Sequence, residues 1–162
     1  GFVSRGLGDV YKRQTYRRFL MNLSVAEVLK KAGSFKDVAE RVQYLKKNET
    51  KALKAVIYFT YAKEIKWLIP DTDPPYKATT PEQDLQNVLK STYNRLRIYV
   101  EGGGYPNMNK MKREMNFIEW LETLDPDDAK LILSIRKGEI PYPGMSRHVA
   151  KKAFPDIASN FR

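Results

Sequence analysis

The sequence has 162 residues, 29 lysines and arginines against 19 aspartates and glutamates, and a formal net charge of +10. This length fits a single domain, and 42% hydrophobic residues are enough to build a core. The chain has no cysteine and one histidine, which excludes disulfide scaffolds, cysteine-ligated metals, multi-histidine metal sites and thiol nucleophiles. The apolar runs are far shorter than the ~20 residues that span a bilayer, so we expect no membrane partner.

Residues 1–14 show neither helical nor strand periodicity and lack the order of a signal peptide. The run from Ser4 to Gln14 resembles the translated adapter-like sequence found at the ends of reading frames from shotgun metagenomic assemblies. We expect residues 1–14 to be a non-native or disordered basic tail, with a natural basic arm as the alternative. The segment carries three basic residues and one acidic residue, so the rest of the chain keeps a net charge of +8.

Helix-start signals dominate the next sixty residues. Ser24 opens a capping box with a glutamate three residues later, and we expect this helix to end at Gly33 in the C′ position. Ser34 repeats the start signal for a second helix. Apolar residues then recur at spacings of 4, 4, 4 and 3, which predicts a third helix over residues 50–69, ended by Pro70.

The middle of the chain begins with a predicted surface loop at residues 71–79, which contains two prolines and no apolar period. The segment Thr80-Pro81-Glu82-Gln83 has the signals of a helix start, and we expect that helix to break near Ser91 and to stop at the glycines 102–104. Residues 107–123 form the next predicted helix. In that helix we expect Met111, Met115, Ile118 and Leu121 to face inward, and Lys110, Lys112 and Arg113 to face outward.

Two further helices close the predicted domain. Asp125 caps the first, which ends at Gly138, and Ser146 caps the second, which runs to Phe154 and is closed by Pro155. No stretch alternates with the period of a strand. We therefore predict an all-α domain of about seven helices at residues 22–157, followed by a C-terminal tail at 158–162.

Residues that carry catalytic chemistry are scarce. The glycines 102–104 precede no Gly-Lys-Ser/Thr, so they are typical of a helix connection and not of a phosphate loop. The carboxylates Asp125, Asp127 and Asp128 sit at a helix start, where negative charge is favourable without a metal. His148 lies among basic residues, which favours a surface or phosphate-facing position. We expect no enzymatic activity, no metal and no cofactor.

The basic residues indicate a binding function. A helix pair joined by a glycine-bearing turn carries the densest cluster, and a helix start with a serine cap and an arginine suits a phosphate. A solvated basic face with an ordinary cap is the alternative. The candidate DNA-contacting residues are Arg136, Lys137, Gly144, Ser146, Arg147 and Lys151 in this pair, with Lys110 and Lys112 on the preceding helix.

Three blocks of the chain resemble the N-terminal all-α DNA-binding domain of ATP-dependent DNA ligases, especially those of tailed phages. They are Val25–Leu29 with Lys46-Lys47-Asn48, residues 53–69, and residues 131–157 with Arg136-Lys137-Gly138, Gly144-Met145-Ser146 and Ala153-Phe154-Pro155. The chain is also similar to small uncharacterised proteins of T-even-like cyanobacterial and marine phages. The ligase resemblance implies that the closing hairpin grips duplex DNA through phosphates across the minor groove, without reading sequence. The ligase Lys-x-Asp-Gly motif is absent from the sequence, so the resemblance implies binding without catalysis.

We therefore expect a non-catalytic, sequence-independent accessory protein that binds double-stranded DNA, encoded by a phage and located in the cytoplasm of the bacterial host. A phage or host replication or transcription protein is a second expected partner. The alternative is a protein–protein adaptor that keeps the ligase-type fold without the DNA grip and recruits its partner through the loop at 71–79.

Overall fold

The structure, a computed structural model, describes residues 23–80 and 83–162. Within these ranges the chain is helical and contains no β-strand, which confirms the all-α prediction; two isolated β-bridges are its only extended pairings. The described residues form eight α-helices, which are α1 (Val25–Ser34), α2 (Val38–Lys47), α3 (Lys51–Tyr61), α4 (Val88–Thr92), α5 (Lys110–Thr123), α6 (Pro126–Ile135), α7 (Arg147–Ala153) and α8 (Pro155–Ala158), with a 3₁₀ helix, η1 (Tyr93–Tyr99), after α4. The predictions for residues 1–14 and for Pro81-Glu82 lie outside the described residues.

The first two helices begin close to where the sequence places them. The Ser24 hydroxyl accepts a hydrogen bond of 3.1 Å from the amide of Glu27, which confirms Ser24 as the N-cap of α1. The predicted stop at Gly33 is wrong, because α1 continues to Ser34 with Gly33 inside its last turn. The predicted start of α2 at Ser34 is also wrong, since Asp37 occupies the N-cap position.

Helix α3 ends eight residues earlier than predicted. It ends at Tyr61 because the following backbone pairs with distant segments instead of with itself. The amide of Lys63 donates to the carbonyl of Asn160 at 2.7 Å, and the amide of Leu68 donates to the carbonyl of Tyr99 at 2.8 Å. The apolar spacing of residues 61–69 therefore reflects burial in an extended connection and not a helical face.

The predicted helix start at residue 80 is wrong for the described part of that segment, because residues 83–87 are not helical and α4 begins only at Val88. The expected break near Ser91 corresponds to the change from α4 to η1 after Thr92. Residues 71–79 form the predicted loop. The loop is fastened to the domain, because Lys77 N–H donates to Glu122 and the Thr79 hydroxyl donates to the Leu124 carbonyl.

The predicted inward face of α5 is wrong at three positions. Met111 and Met115 are exposed, at 70% and 57% of their surfaces, whereas Arg113 is 7% exposed. The Arg113 guanidinium donates to the carbonyls of Ile98 at 2.9 Å and Tyr105 at 2.6 Å, which satisfies backbone acceptors at the end of η1 and in the following turn. The helix is rotated so that this arginine faces inward, and the two methionines consequently face solvent.

The largest buried side chains of the core include aromatic residues of η1 and α5. Tyr99 packs edge-on against Phe117, with ring centroids 5.0 Å apart, and stacks on Trp120 at 5.7 Å. All three side chains are buried, and burial raises the pKa of Tyr99 to about 12. The Trp120 indole N–H donates to the Thr92 hydroxyl at 3.0 Å, so the polar atom of this ring is satisfied.

The end of the chain is built into this fold. Pro155 does not simply close α7, as predicted, but starts the short helix α8. Phe161 is 4% exposed and its ring lies 5.6 Å from that of Tyr61. Residues 158–162, expected as a tail, therefore pack against the end of α3.

Gly33 and Gly144 mark a close backbone crossing between α1 and the turn that precedes α7. A Cβ atom at Gly144 would lie 2.1 Å from the carbonyl oxygen of Gly33, and Gly144 has a φ of +85°. We predict that Gly144→Ala lowers the free energy of unfolding by about 2–5 kcal/mol, because it adds left-handed strain to a backbone clash. Urea denaturation measures the loss, and Gly102→Ala is the matched control, since its φ of +79° is similar but no atom lies within 4 Å of its Cβ position.

Candidate functional site

An open cleft of about 620 Å³ lies beside the start of α7. Its walls come from the end of α3, the turn after α6, the first turns of α7 and the end of the chain. The residues that line it are Tyr61, Gly138, Ser146, Arg147, His148, Lys151 and Arg162. The cleft thus brings together three of the predicted DNA-contacting residues, namely Ser146, Arg147 and Lys151.

Local structure explains how α7 presents these three side chains. The Ser146 hydroxyl accepts a hydrogen bond of 3.3 Å from the amide of Val149, which confirms the predicted cap. Arg147 and Lys151 are four residues apart and therefore lie on the same face of the helix, and both are exposed. The opposite face of α7 is anchored by the buried Val149 and Ala150.

Arg162 is the functional candidate that sequence reasoning missed. Its guanidinium donates to the carbonyl of Thr60 at 3.2 Å, and its amide donates to the carbonyl of Tyr61 at 2.9 Å. The Arg162 carbonyl accepts a hydrogen bond of 2.6 Å from the guanidinium of Arg147. These bonds fix Arg162 in the cleft wall. The aromatic side chain of Phe161 beside it is the sequence signal that could have indicated a packed chain end, and the structure buries it.

Tyr61 and His148 complete the polar lining. Burial is the main cause that raises the pKa of the Tyr61 hydroxyl above its usual value, so this group remains a neutral donor near neutral pH. His148 is exposed beside Arg147. Gly138 has a left-handed φ of +81°. Because it has no side chain, the cleft is open on the side next to the Arg162 guanidinium. Among the described residues that line the cleft, none has a carboxylate side chain.

Arg136 and Lys137 do not line the cleft. The Arg136 side chain is 2% exposed, donates to the carbonyls of Pro70 and Thr72, and pairs with Asp73 at 3.3 Å. The Lys137 ammonium lies 3.6 Å from the same carboxylate oxygen of Asp73. Arg136 is therefore a buried residue that fastens the loop after α3 and is not accessible to a phosphate, whereas Lys137 is half exposed.

The remaining predicted contacts are distributed over two other places. Gly144 lies where the backbone crosses that of Gly33, so its role is to allow this close packing and not to contact a ligand. Lys110 and Lys112 are exposed at the start of α5, which packs on η1, whereas α7 packs on α2 and α8. Only part of the predicted set therefore forms one cluster.

The acidic candidates serve the fold. Asp125 caps α6 through a hydrogen bond of 3.0 Å from the amide of Asp127, and Asp128 is fully buried. No group of three or more potential ligands with metal-binding geometry occurs in residues 23–80 or 83–162. Within the same ranges no helix has the length and apolar character required to cross a membrane.

A family model matches residues 28–141, and it describes DUF6433, a family of unknown function. The chain belongs to this family. Ser146, Arg147, Lys151 and Arg162 follow the matched segment. Searches of curated proteins and of solved structures gave no match, so the resemblance to the ligase N-terminal domain has no support from either and stays a prediction.

Proposed function

We propose that this member of DUF6433 is a non-catalytic module that binds duplex DNA through backbone phosphates, along the minor groove and without reading sequence. The observation that carries the proposal is the convergence of Arg147, Lys151 and Arg162 on one open cleft. Its expected setting is the cytoplasm of a bacterial host, as an accessory of a phage replication or transcription protein.

The charge of the cleft explains how a phosphate is held. Three cations from two different segments face the same space without a compensating carboxylate among the lining side chains. Hydroxyl groups of Tyr61 and Ser146 supply neutral hydrogen bonds beside them. Such groups position a nucleic acid through its backbone, and they carry no information about base sequence. Lys110 and Lys112 would extend the contact only if the bound duplex reaches the start of α5.

Salt dependence tests the proposal most directly. Each neutralised phosphate lowers log K by about 0.9 per tenfold increase in salt, so a contact made by the three cleft cations gives a slope near −3. We expect fluorescence anisotropy with a labelled duplex to show this slope, with similar affinities for duplexes of unrelated sequence. Undetectable binding at about 50 mM salt, or binding that is insensitive to salt, would refute the proposal.

A double charge-reversal variant tests whether the cleft is the DNA-binding surface. Arg147→Glu with Lys151→Glu should weaken duplex binding by more than about tenfold, because two attractive phosphate contacts become repulsive. The control is Lys36→Glu with Lys130→Glu, which makes the same change in net charge at exposed positions outside the cleft. Equal losses in the two variants would show that only the overall charge matters, and circular dichroism verifies that both remain folded.

The adaptor is the second candidate function. The loop at 71–79 suits it less than expected, because Asp73, Lys77 and Thr79 are fastened to the domain. The exposed Met111 and Met115 favour a protein contact on α5 instead. A stoichiometric protein partner that survives nuclease treatment, together with no measurable duplex binding, would favour this function.

A further inference from the structure

The exposed face of α5 carries an apolar stripe. Tyr105, Met111 and Met115 are the large hydrophobic side chains that are exposed in the described part of the chain. Met111, Met115 and the half-buried Ile118 are spaced by four and three residues, as at the a and d positions of a heptad. Successive residues are about 100° apart around the axis of a helix, so these three side chains lie within an arc of about 60°. This arc is on the side of α5 turned away from the buried Phe117 and Trp120.

Two opposite charges lie on the same edge of this stripe. Lys112 and Glu119 are seven residues apart, so they occupy equivalent positions two turns apart, and both are exposed. Neither forms an ion pair with another residue in the ranges 23–80 and 83–162. The edge therefore has a cation towards the N-terminal end of α5 and an anion towards its C-terminal end, with Met115 near the midpoint.

The two charges on this edge are complementary to those of a second copy turned end for end. We propose that α5 is the interface of a two-fold symmetric homodimer, in which the two α5 helices pack antiparallel. Met115 then meets Met115 of the second copy at the axis, and Met111 packs near the second copy's Ile118. Lys112 lies beside the second copy's Glu119, and the symmetry makes this ion pair twice. Methionine suits such a contact because its flexible thioether adapts to an imperfectly matched surface.

The size of the stripe sets the expected affinity. Stable interfaces bury roughly 1,200–2,000 Å² in total, and three apolar side chains from each copy contribute only part of that area. The net charge of +10 also opposes self-association, although salt near 0.15 M confines that repulsion to a Debye length of about 8 Å. The dimer should therefore form in the micromolar range and be absent from dilute samples.

Sedimentation velocity over about 5–500 µM protein tests the proposal. We expect the average mass to rise from that of the monomer towards that of a dimer, and Met115→Glu to weaken the dimer at least about tenfold. Lys112→Glu alone and Glu119→Lys alone should each weaken it, because like charges then face each other across the axis. The double variant should recover the wild-type affinity. A wild-type chain that stays monomeric throughout, or a double variant without recovery, would overturn the proposal.

The lack of cysteine in the sequence allows a second, geometric test. Met115→Cys places one thiol in each copy next to the two-fold axis, so mild oxidation should give a disulfide-linked dimer. Lys130→Cys, at an exposed position on α6, is the matched control and should cross-link much more slowly. Equal cross-linking of the two variants would count against the antiparallel α5 contact. The result does not depend on DNA binding, so this inference and the proposed function can fail separately.

Discussion

The folded domain should lose stability as the pH rises from about 5 to 8, and Asp128→Asn should remove most of that loss. Asp128 is fully buried at the start of α6, and one of its carboxylate oxygens accepts a hydrogen bond of 2.9 Å from the amide of Ala26 in α1. The other oxygen has no hydrogen-bond partner among the described residues. Burial raises the pKa of Asp128 to about 8, with further increases from Asp125, Glu27 and Asp127, and the Ala26 amide opposes the shift.

The direction of the effect follows from the protons bound in each state. Between the ordinary pKa of 3.8 and the folded pKa of about 8, the native state holds a proton on Asp128 that the unfolded state has lost. The free energy of unfolding therefore falls with rising pH in that window, on the order of 1 kcal/mol per pH unit. The stabilising contribution of the protonated Asp128 is fully present only below the lower pKa. Above about 8 this contribution no longer changes.

Urea denaturation at pH 5, 6, 7 and 8 checks the expectation. Asp128→Asn keeps the shape of the side chain and an acceptor for Ala26 but cannot ionise, so its stability should vary little over this range. Asp127→Asn is the matched control, because Asp127 is exposed on the same helix turn. A wild-type profile that is flat, or one that rises with pH, would show that Asp128 is ionised in the folded state.

Asp128 also connects the starts of α6 and α1, a contact that the sequence does not predict. The sequence correctly predicts that Asp125 caps the start of α6, because the signals of a helix start lie within a few residues of one another. It does not reveal that Asp128 also accepts from the first turn of α1, since Ala26 is 102 residues away. Local chemistry thus predicts where an element begins, whereas contacts between elements decide what its side chains do.

The face of α5 shows the same limit. Apolar identity predicts an inward Met111 and Met115, and charge predicts an outward Arg113. The structure reverses both because backbone carbonyls of Ile98 and Tyr105 need donors, and Arg113 supplies them. Such a requirement comes from the termination of η1 and the turn after it, and it is invisible in the periodicity of the helix itself.

The candidate cleft was predictable from the sequence only in part. Ser146, Arg147 and Lys151 were found because a cap and its basic neighbours occur together along one helix. Arg162 was missed because its position depends on the pairing of the chain end with Thr60 and Tyr61. Arg136 was included because it is adjacent in sequence to exposed basic residues, although the loop that buries it lies more than sixty residues earlier.

Arg136→Gln should be the most destabilising substitution among the charged residues predicted to contact DNA, while Lys137→Gln should have little effect. Both side chains interact with Asp73, so the comparison isolates the effect of burial. Arg136 is 2% exposed, and it donates to the Pro70 carbonyl and lies over the Phe117 ring at 5.4 Å. Burial lowers the pKa of Arg136, and the negative charges of Asp73 and Asp71 partly offset this shift. Lys137 is half exposed, so water competes with its ammonium group for the carboxylate of Asp73.

The magnitudes differ because an exposed ion pair contributes about 0–1 kcal/mol, whereas removal of one partner of a buried pair costs about 3–5 kcal/mol. Asp73 is itself 59% exposed, so water can solvate its carboxylate when Arg136 is replaced. The main effect of Arg136→Gln is therefore that the carbonyls of Pro70 and Thr72 lose their donor. The loss should therefore be about 3 kcal/mol. It should change little between low and high salt, because salt screens buried contacts much less than exposed ones. Thermal denaturation of both variants in low and high salt measures it. A loss for Arg136→Gln no larger than that for Lys137→Gln would mean that Arg136 is free in solution, and it would then return to the set of residues available to a phosphate.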